Sequence, residues 1–230
     1  MSLIDKVALI IDSKSKLEDL TYLPNKVAYD DNISILDINL ESIIPDPPKN
    51  TSAKTKRELM EISKATKTRT KKEIDLVHMV DKEPLNLFYN FLENHGMKFP
   101  RYEFESYYNV LEQYVYALKY YYNRARPEQV APFYNIDIDV IYTETHHTAS
   151  YPSGHTMYAE LAAHICSNKY PKFRKRFFEL SNYCALARIL QGVHYPSDNS
   201  ASRIAVSKLY PLIRTKYEEK DKDFPLDIKS

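Results

Sequence analysis

The chain has 230 residues, of which 43% are hydrophobic and 27% charged, and its formal net charge is +1. That balance suits one folded domain with a real core and excludes a disordered tail. Near neutrality gives no global field toward nucleic acid or acidic membranes, so any attraction for an anion must come from a few cations gathered in one place.

In chain order, the apolar run from Val7 to Ile11 is interrupted by Asp12 and lacks a charged start and a cleavage site. It predicts no secretory signal, and hence a cytoplasmic protein. Residues 1–50 show no long period and end in Ile44-Pro45-Asp46-Pro47-Pro48, which predicts an extended arm packed on the body. Ser52 to about Val80 is helical in pattern, with Leu59, Ile62 and Thr66 on one face and Ile74, Val77 and His78 continuing it. Nine Lys/Arg fall between Lys49 and Lys72, with glutamates among them, as on a solvated helix face or a polyanion patch.

Pro84 to Asn94 reads as a short helix stopping at Gly96. Residues 101–125 give the clearest helical spacing, through Phe104, Tyr108, Leu111, Val115 and Leu118, and their many tyrosines suit core or interface packing. Residues 128–150 read as a loop with one alternating piece, Ile136 to Val140. Further helices are predicted just after Pro152-Ser153-Gly154-His155, from about Phe173 to Leu190, and from about Ser200 to Tyr217. The expectation is an all-α, single-domain helical bundle: arm 1–50, helical domain 51–217 and charged tail 218–230. No run approaches eighteen apolar residues and mean hydropathy is −0.51, so no membrane-spanning helix is expected. Cys166 and Cys184 lack metal-type spacing and suit buried thiols.

Three segments carry candidate chemistry. Lys119 and Arg126 are seven apart, so on one continuous helix they would share a side, about 10 Å apart along the axis, and could close on one small anion from either end of that gap. Pro152-Ser153-Gly154-His155 before a helix suits either an anion-binding turn, with backbone N–H groups and a histidine at its mouth, or a plain turn with a serine cap. Asp198 follows His194 by four residues, where a carboxylate can accept the Nδ1–H and leave Nε2 nucleophilic; a structural histidine would look the same. Arg188 precedes His194 by six residues. The chain has only three glycines, Gly96, Gly154 and Gly192, and two lie inside these segments, as if kept where a side chain is not tolerated.

Taken together, the segments resemble the three-part signature of the type 2 phosphatidic-acid-phosphatase (PAP2) superfamily. Ser150-Tyr151-Pro152-Ser153-Gly154-His155-Thr156 and Gly192-Val193-His194-Tyr195-Pro196-Ser197-Asp198 look most like its bacterial class A non-specific acid phosphatases. The resemblance implies the acid phosphatase/vanadium haloperoxidase type of fold and a metal-independent, cofactor-free phosphatase acting on small phosphate esters. It further implies that Lys119, Arg126, Ser153, Gly154 and Arg188 bind phosphate, His194 attacks phosphorus, Asp198 holds His194, and His155 is the proton donor. An optimum on the acid side of neutral follows from that scheme. The usual serine before the arginine is Ala187 here, which removes one possible hydrogen bond.

Rival readings are a structural or phosphate-binding protein with a relic pocket, a vanadate-dependent haloperoxidase, and a magnesium phosphatase built on Asp137-Ile138-Asp139. His146-His147 suggests a solvated loop before it suggests a metal site. A homodimer through the tyrosine-rich helix is a further expectation, with no nucleic-acid or membrane partner.

Overall fold

The computed structural model describes residues 12–23, 36–143 and 145–223, with side chains through residue 218. The apolar N-terminal run at 7–11 and the end of the predicted tail lie outside these residues. Eight α-helices are assigned here: α1 (Ala53–Thr68), α2 (Lys71–Lys82), α3 (Asn86–Glu93), α4 (Arg101–Tyr122), α5 (Pro127–Val130), α6 (Gly154–Lys169), α7 (Arg174–Gln191) and α8 (Pro196–Asp223). Residues 12–18 are also helical. Among the described residues the only extended pairing is an isolated bridge between Thr21 and Arg124. The fold is all-α, and no described helix is long and apolar enough to cross a membrane.

α6 is the central element. It packs most heavily on α7, then on α8 and α4, while α7 also receives α2 and α1. Met157, Leu161 and Ile165 are buried as the spacing predicts, but so are Ala159, Ala163 and Cys166, because neighbours surround the helix. The tyrosines of α4 divide: Tyr107 and Tyr114 are buried, whereas Tyr102 is 76% exposed.

Several boundaries differ from the sequence expectation, each for a physical reason. The segment 52–80 is two helices, because Thr70 and Glu73 form a capping box that starts α2. On α2 it is Val77, Val80 and Asp81 that turn inward, and His78 is exposed. The helix predicted to 125 stops at Tyr122, where Asn123 takes a left-handed conformation with φ 42°. α8 begins at Pro196 and continues to Asp223, into the region expected to be tail. The arm is not extended throughout, since 12–18 is helical. Within it Leu17, Ile43 and Ile44 are buried, and Asn50 donates to the carbonyls of Leu17 and Leu20.

Gly192 ends α7 at φ +88°, with its N–H on the Arg188 and Ile189 carbonyls. A Cβ there would come 2.9 Å from Ile138 Cγ2. Left-handed strain and the clash act together, so Gly192→Ala is expected to destabilise the protein by about 1–3 kcal/mol, measured as a lower urea midpoint with an unchanged slope.

Candidate active site

Lys119 sits near the end of α4 and Arg126 caps α5, four residues beyond the helix terminus. They do not share a continuous helix. Pro127 disfavours helical backbone at the residue before it, and Arg126 is extended at φ −76°, ψ 161°. Pro127 therefore opens a short helix where it was expected to close a long one. The turn at Asn123 still delivers both cations to one cavity.

That cavity, about 330 Å³, is lined by Lys119, Arg126, Gly154, His155 and His194, together with His147, Thr145, Tyr108 and Tyr158. The two imidazoles of interest, 39 residues apart in the chain, thus open onto the same space. Their elements are tied directly. Thr156 at the start of α6 donates to Asn199 Oδ1 on α8 at 2.8 Å, and Ser202 of α8 donates to the Ser153 carbonyl at 2.9 Å. Gly154 allows the close approach of α4: a Cβ there would stand 3.3 Å from Val115 Cγ1 and 3.9 Å from Lys119 Cε.

The charges divide into two kinds. Lys119 is 5% exposed and Arg126 1% exposed, yet their hydrogen-bond acceptors are backbone carbonyls: Ala149 for Lys119, Thr148 and Val193 for Arg126. Burial, and then the Arg126 charge, hold the Lys119 amine well below its ordinary range. Burial brings Arg126 down to about 10. Neither forms an ion pair with a described carboxylate. Glu128 and Asp198 offset Arg126 only through space, Asp198 does so for Lys119, and Glu112 lines the same cavity. The burial cost is thus met in part, and an added anion would be favoured there.

Asp198 is fully buried behind His194 and accepts its Nδ1 at 3.0 Å, the Ser150 hydroxyl at 2.5 Å, the Tyr195 N–H at 2.9 Å and Arg124 at 2.6 Å. Burial raises the Asp198 carboxyl, against Arg124 and the hydrogen bonds that lower it. Four converging donors suit an ionised, acceptor-only carboxylate. With Nδ1–H committed to Asp198, the lone pair of His194 lies on Nε2. Burial and the cations Arg126, Lys119 and Arg188 push the His194 pKa well below its usual value. His155, under burial and Arg188, falls to about 3. Both rings are neutral at neutral pH in the ligand-free protein.

Ser153 and Arg188 stand behind the cavity wall. The Ser153 hydroxyl is fully buried and caps α6, accepting from the Thr156 N–H and hydroxyl. Arg188 pairs with Asp81 at 2.7 Å, and Asp81 also accepts from Gln191, Thr143 and Thr145. Those donors and Arg188 outweigh burial and hold the Asp81 carboxyl at about 2.

Residues not singled out from sequence complete the arrangement. Arg124 bonds Asp198 and Ser197, lies 3.6 Å from Glu58, and rests 3.8 Å over the Tyr195 ring. Glu58 in turn accepts the Ser197 N–H and hydroxyl. Arg124 and Arg126 alternate across one extended residue, a spacing that could have flagged Arg124; Asp81 and Glu58 carried no such signal. His146 is buried, not solvated, and stacks on His147, which faces the cavity. Asp137 and Asp139 are instead paired with Lys67 and Arg69 on an irregular segment outside that cavity.

Residues 107–208, a little under half of the chain, match the family model of the PAP2 superfamily. The matched stretch contains Lys119, Arg126, Gly154, His155, Arg188, His194 and Asp198. No curated protein matches the chain significantly.

Removing Asp81 would leave the Arg188 charge buried and alone. Asp81→Ala is expected to cost about 3–5 kcal/mol of stability at neutral pH, read by urea unfolding. Because the folded pKa is lowered, the wild-type advantage is complete above the ordinary value of 3.8 and closes as pH falls toward 2.

Proposed function

We propose that this protein is a phosphoric monoester hydrolase that works through a phosphohistidine on His194, with small phosphate esters as substrates and no metal ion. The observation that carries the reading is the pair of buried cations, Lys119 and Arg126, facing one cavity with His155 and an Asp198-bound His194. The family-model match over the same stretch supports phosphoester hydrolysis as the reaction class.

In this scheme the phosphoryl oxygens sit between Lys119, Arg126 and the N-terminus of α6 at Gly154, whose dipole adds partial positive charge. Arg188 contributes long-range charge while its guanidinium stays on Asp81. Ser153 acts by fixing the start of α6. His194 Nε2 attacks phosphorus as the bond to the ester oxygen breaks, and Asp198 stabilises the imidazolium that forms. His155 gives a proton to the departing oxygen. It then takes one from the water that attacks the phosphohistidine, which releases phosphate and restores His194. Lys119 and Arg126 supply the charge neutralisation that a metal ion provides in other phosphatases.

A donor with a pKa of about 3 is deprotonated at neutral pH, so the acid role of His155 depends on the substrate. A bound dianion favours the charged imidazole and raises its pKa. An acid-side optimum then belongs to the complex, not to the free protein.

Two measurements test the scheme. His194→Ala is expected to lower kcat for p-nitrophenyl phosphate by about 10³-fold or more, with activity of the wild type unchanged by chelator; near-wild-type turnover in the variant would remove the nucleophile. Sulfate, a dianion across pH 5 to 7, is expected to bind with proton uptake and to tighten as pH falls. Calorimetry in buffers of different ionisation enthalpy reads this directly, and binding without proton exchange would exclude His155 as the acid.

A further inference from the structure

The cavity that His194 lines adjoins a second one of about 380 Å³, and Tyr108, Thr145, His155 and Tyr158 line both. His194 lines only the first. In an in-line displacement the leaving oxygen departs on the side opposite the nucleophile, and the scheme proposed above puts the proton donor His155 on that side. The second cavity therefore lies where the alcohol half of the ester must sit.

Its wall is a run of aromatic rings in mutual contact. Tyr89 meets Phe99 at 4.9 Å, Phe99 meets Phe104 at 5.4 Å, Phe104 meets Tyr108 at 5.8 Å, and Tyr108 meets Tyr158 at 4.7 Å. All five line the space; Phe104 is buried and the other four are half-buried. Such rings stabilise a flat aromatic guest by edge and face contacts beyond what its area alone would give. At the rim, Arg101 pairs with Glu105 at 3.4 Å and lies 5.6 Å over Tyr89, and Glu83 offsets Lys82 in sign. No excess positive charge is present for a second phosphate or a carboxylate. The size is at the lower end of small-ligand pockets, suited to a compact ring system and not to long paired chains.

We infer that this cavity is the leaving-group subsite of the hydrolase proposed above, and that it selects phosphate monoesters of alcohols bearing a neutral, planar aromatic ring. The inference rests on that hydrolase reading and adds the substrate class. Phe99 is a specificity-determining residue, placed on α4's approach and outside the cavity that His194 lines.

Benzyl phosphate, cyclohexylmethyl phosphate and n-dodecyl phosphate all release primary alcohols, so kcat/KM differences among them report on the subsite more than on leaving-group basicity. Benzyl phosphate is expected to exceed cyclohexylmethyl phosphate by about fivefold or more, within the range of aromatic pair energies. In Phe99→Leu that ratio is expected to collapse toward unity. Tyr102→Leu, 76% exposed and outside both cavities, should keep the wild-type ratio. Equal rates for the two ring esters, a preference for the dodecyl ester, or a Phe99→Leu ratio like that of the wild type would each overturn the inference while leaving the hydrolase standing. Hydrolysis of none of the three would overturn both.

Discussion

Burying Lys119 and Arg126 with backbone carbonyls as their hydrogen-bond acceptors and no direct ion pair is the constraint on which the rest of this structure depends. A buried cation is costly unless an anion meets it, and here the hydrogen bonds go to carbonyl oxygens while Glu128 and Asp198 act only through space. The two other arginines of the same region are treated differently. Arg124 is met by Asp198 and Glu58, and Arg188 by Asp81. The chain pairs the framework arginines directly with carboxylates and leaves Lys119 and Arg126, which line the cavity, hydrogen-bonded to carbonyls. That division distinguishes this cavity from a salt-bridge cluster that merely stabilises a core.

The same electrostatic logic sets the histidines. Repulsion from the cations and loss of water keep His155 and His194 neutral, while Asp198 fixes which nitrogen of His194 carries the proton. Asp198 itself is held by Arg124, Ser150 and the backbone at Tyr195. Orientation of the His194 ring is thus anchored from Glu58 on α1 through Ser197 and Arg124 to the start of α8, so elements far apart in sequence converge on one ring.

Much of this was legible in the sequence because it is local. The helix starting at Gly154 announces itself through Ser153, and the His194–Asp198 contact spans only four residues. The break before Arg126 was also readable from Pro127, and the start of α2 from Thr70 and Glu73, yet apolar spacing alone carried both helices too far. What could not be read depends on distant partners. Asp81 meets Arg188 across 107 residues, and Glu58 meets Ser197 across 139. Nothing in either neighbourhood marks those carboxylates as different from the solvated ones around them. The aromatic wall was legible only as packing, because periodicity cannot tell a ring that faces a core from one that faces a cavity.

If the unpaired cations are kept for binding at the expense of stability, replacing one by an apolar side chain of similar length must separate the two properties. The melting temperature of Lys119→Met, with and without inorganic phosphate, measures this directly. A higher melting temperature than wild type without ligand, together with loss of the phosphate-induced rise, is the predicted result. A variant that melts lower than wild type and still gains the full phosphate-induced stabilisation would contradict the account.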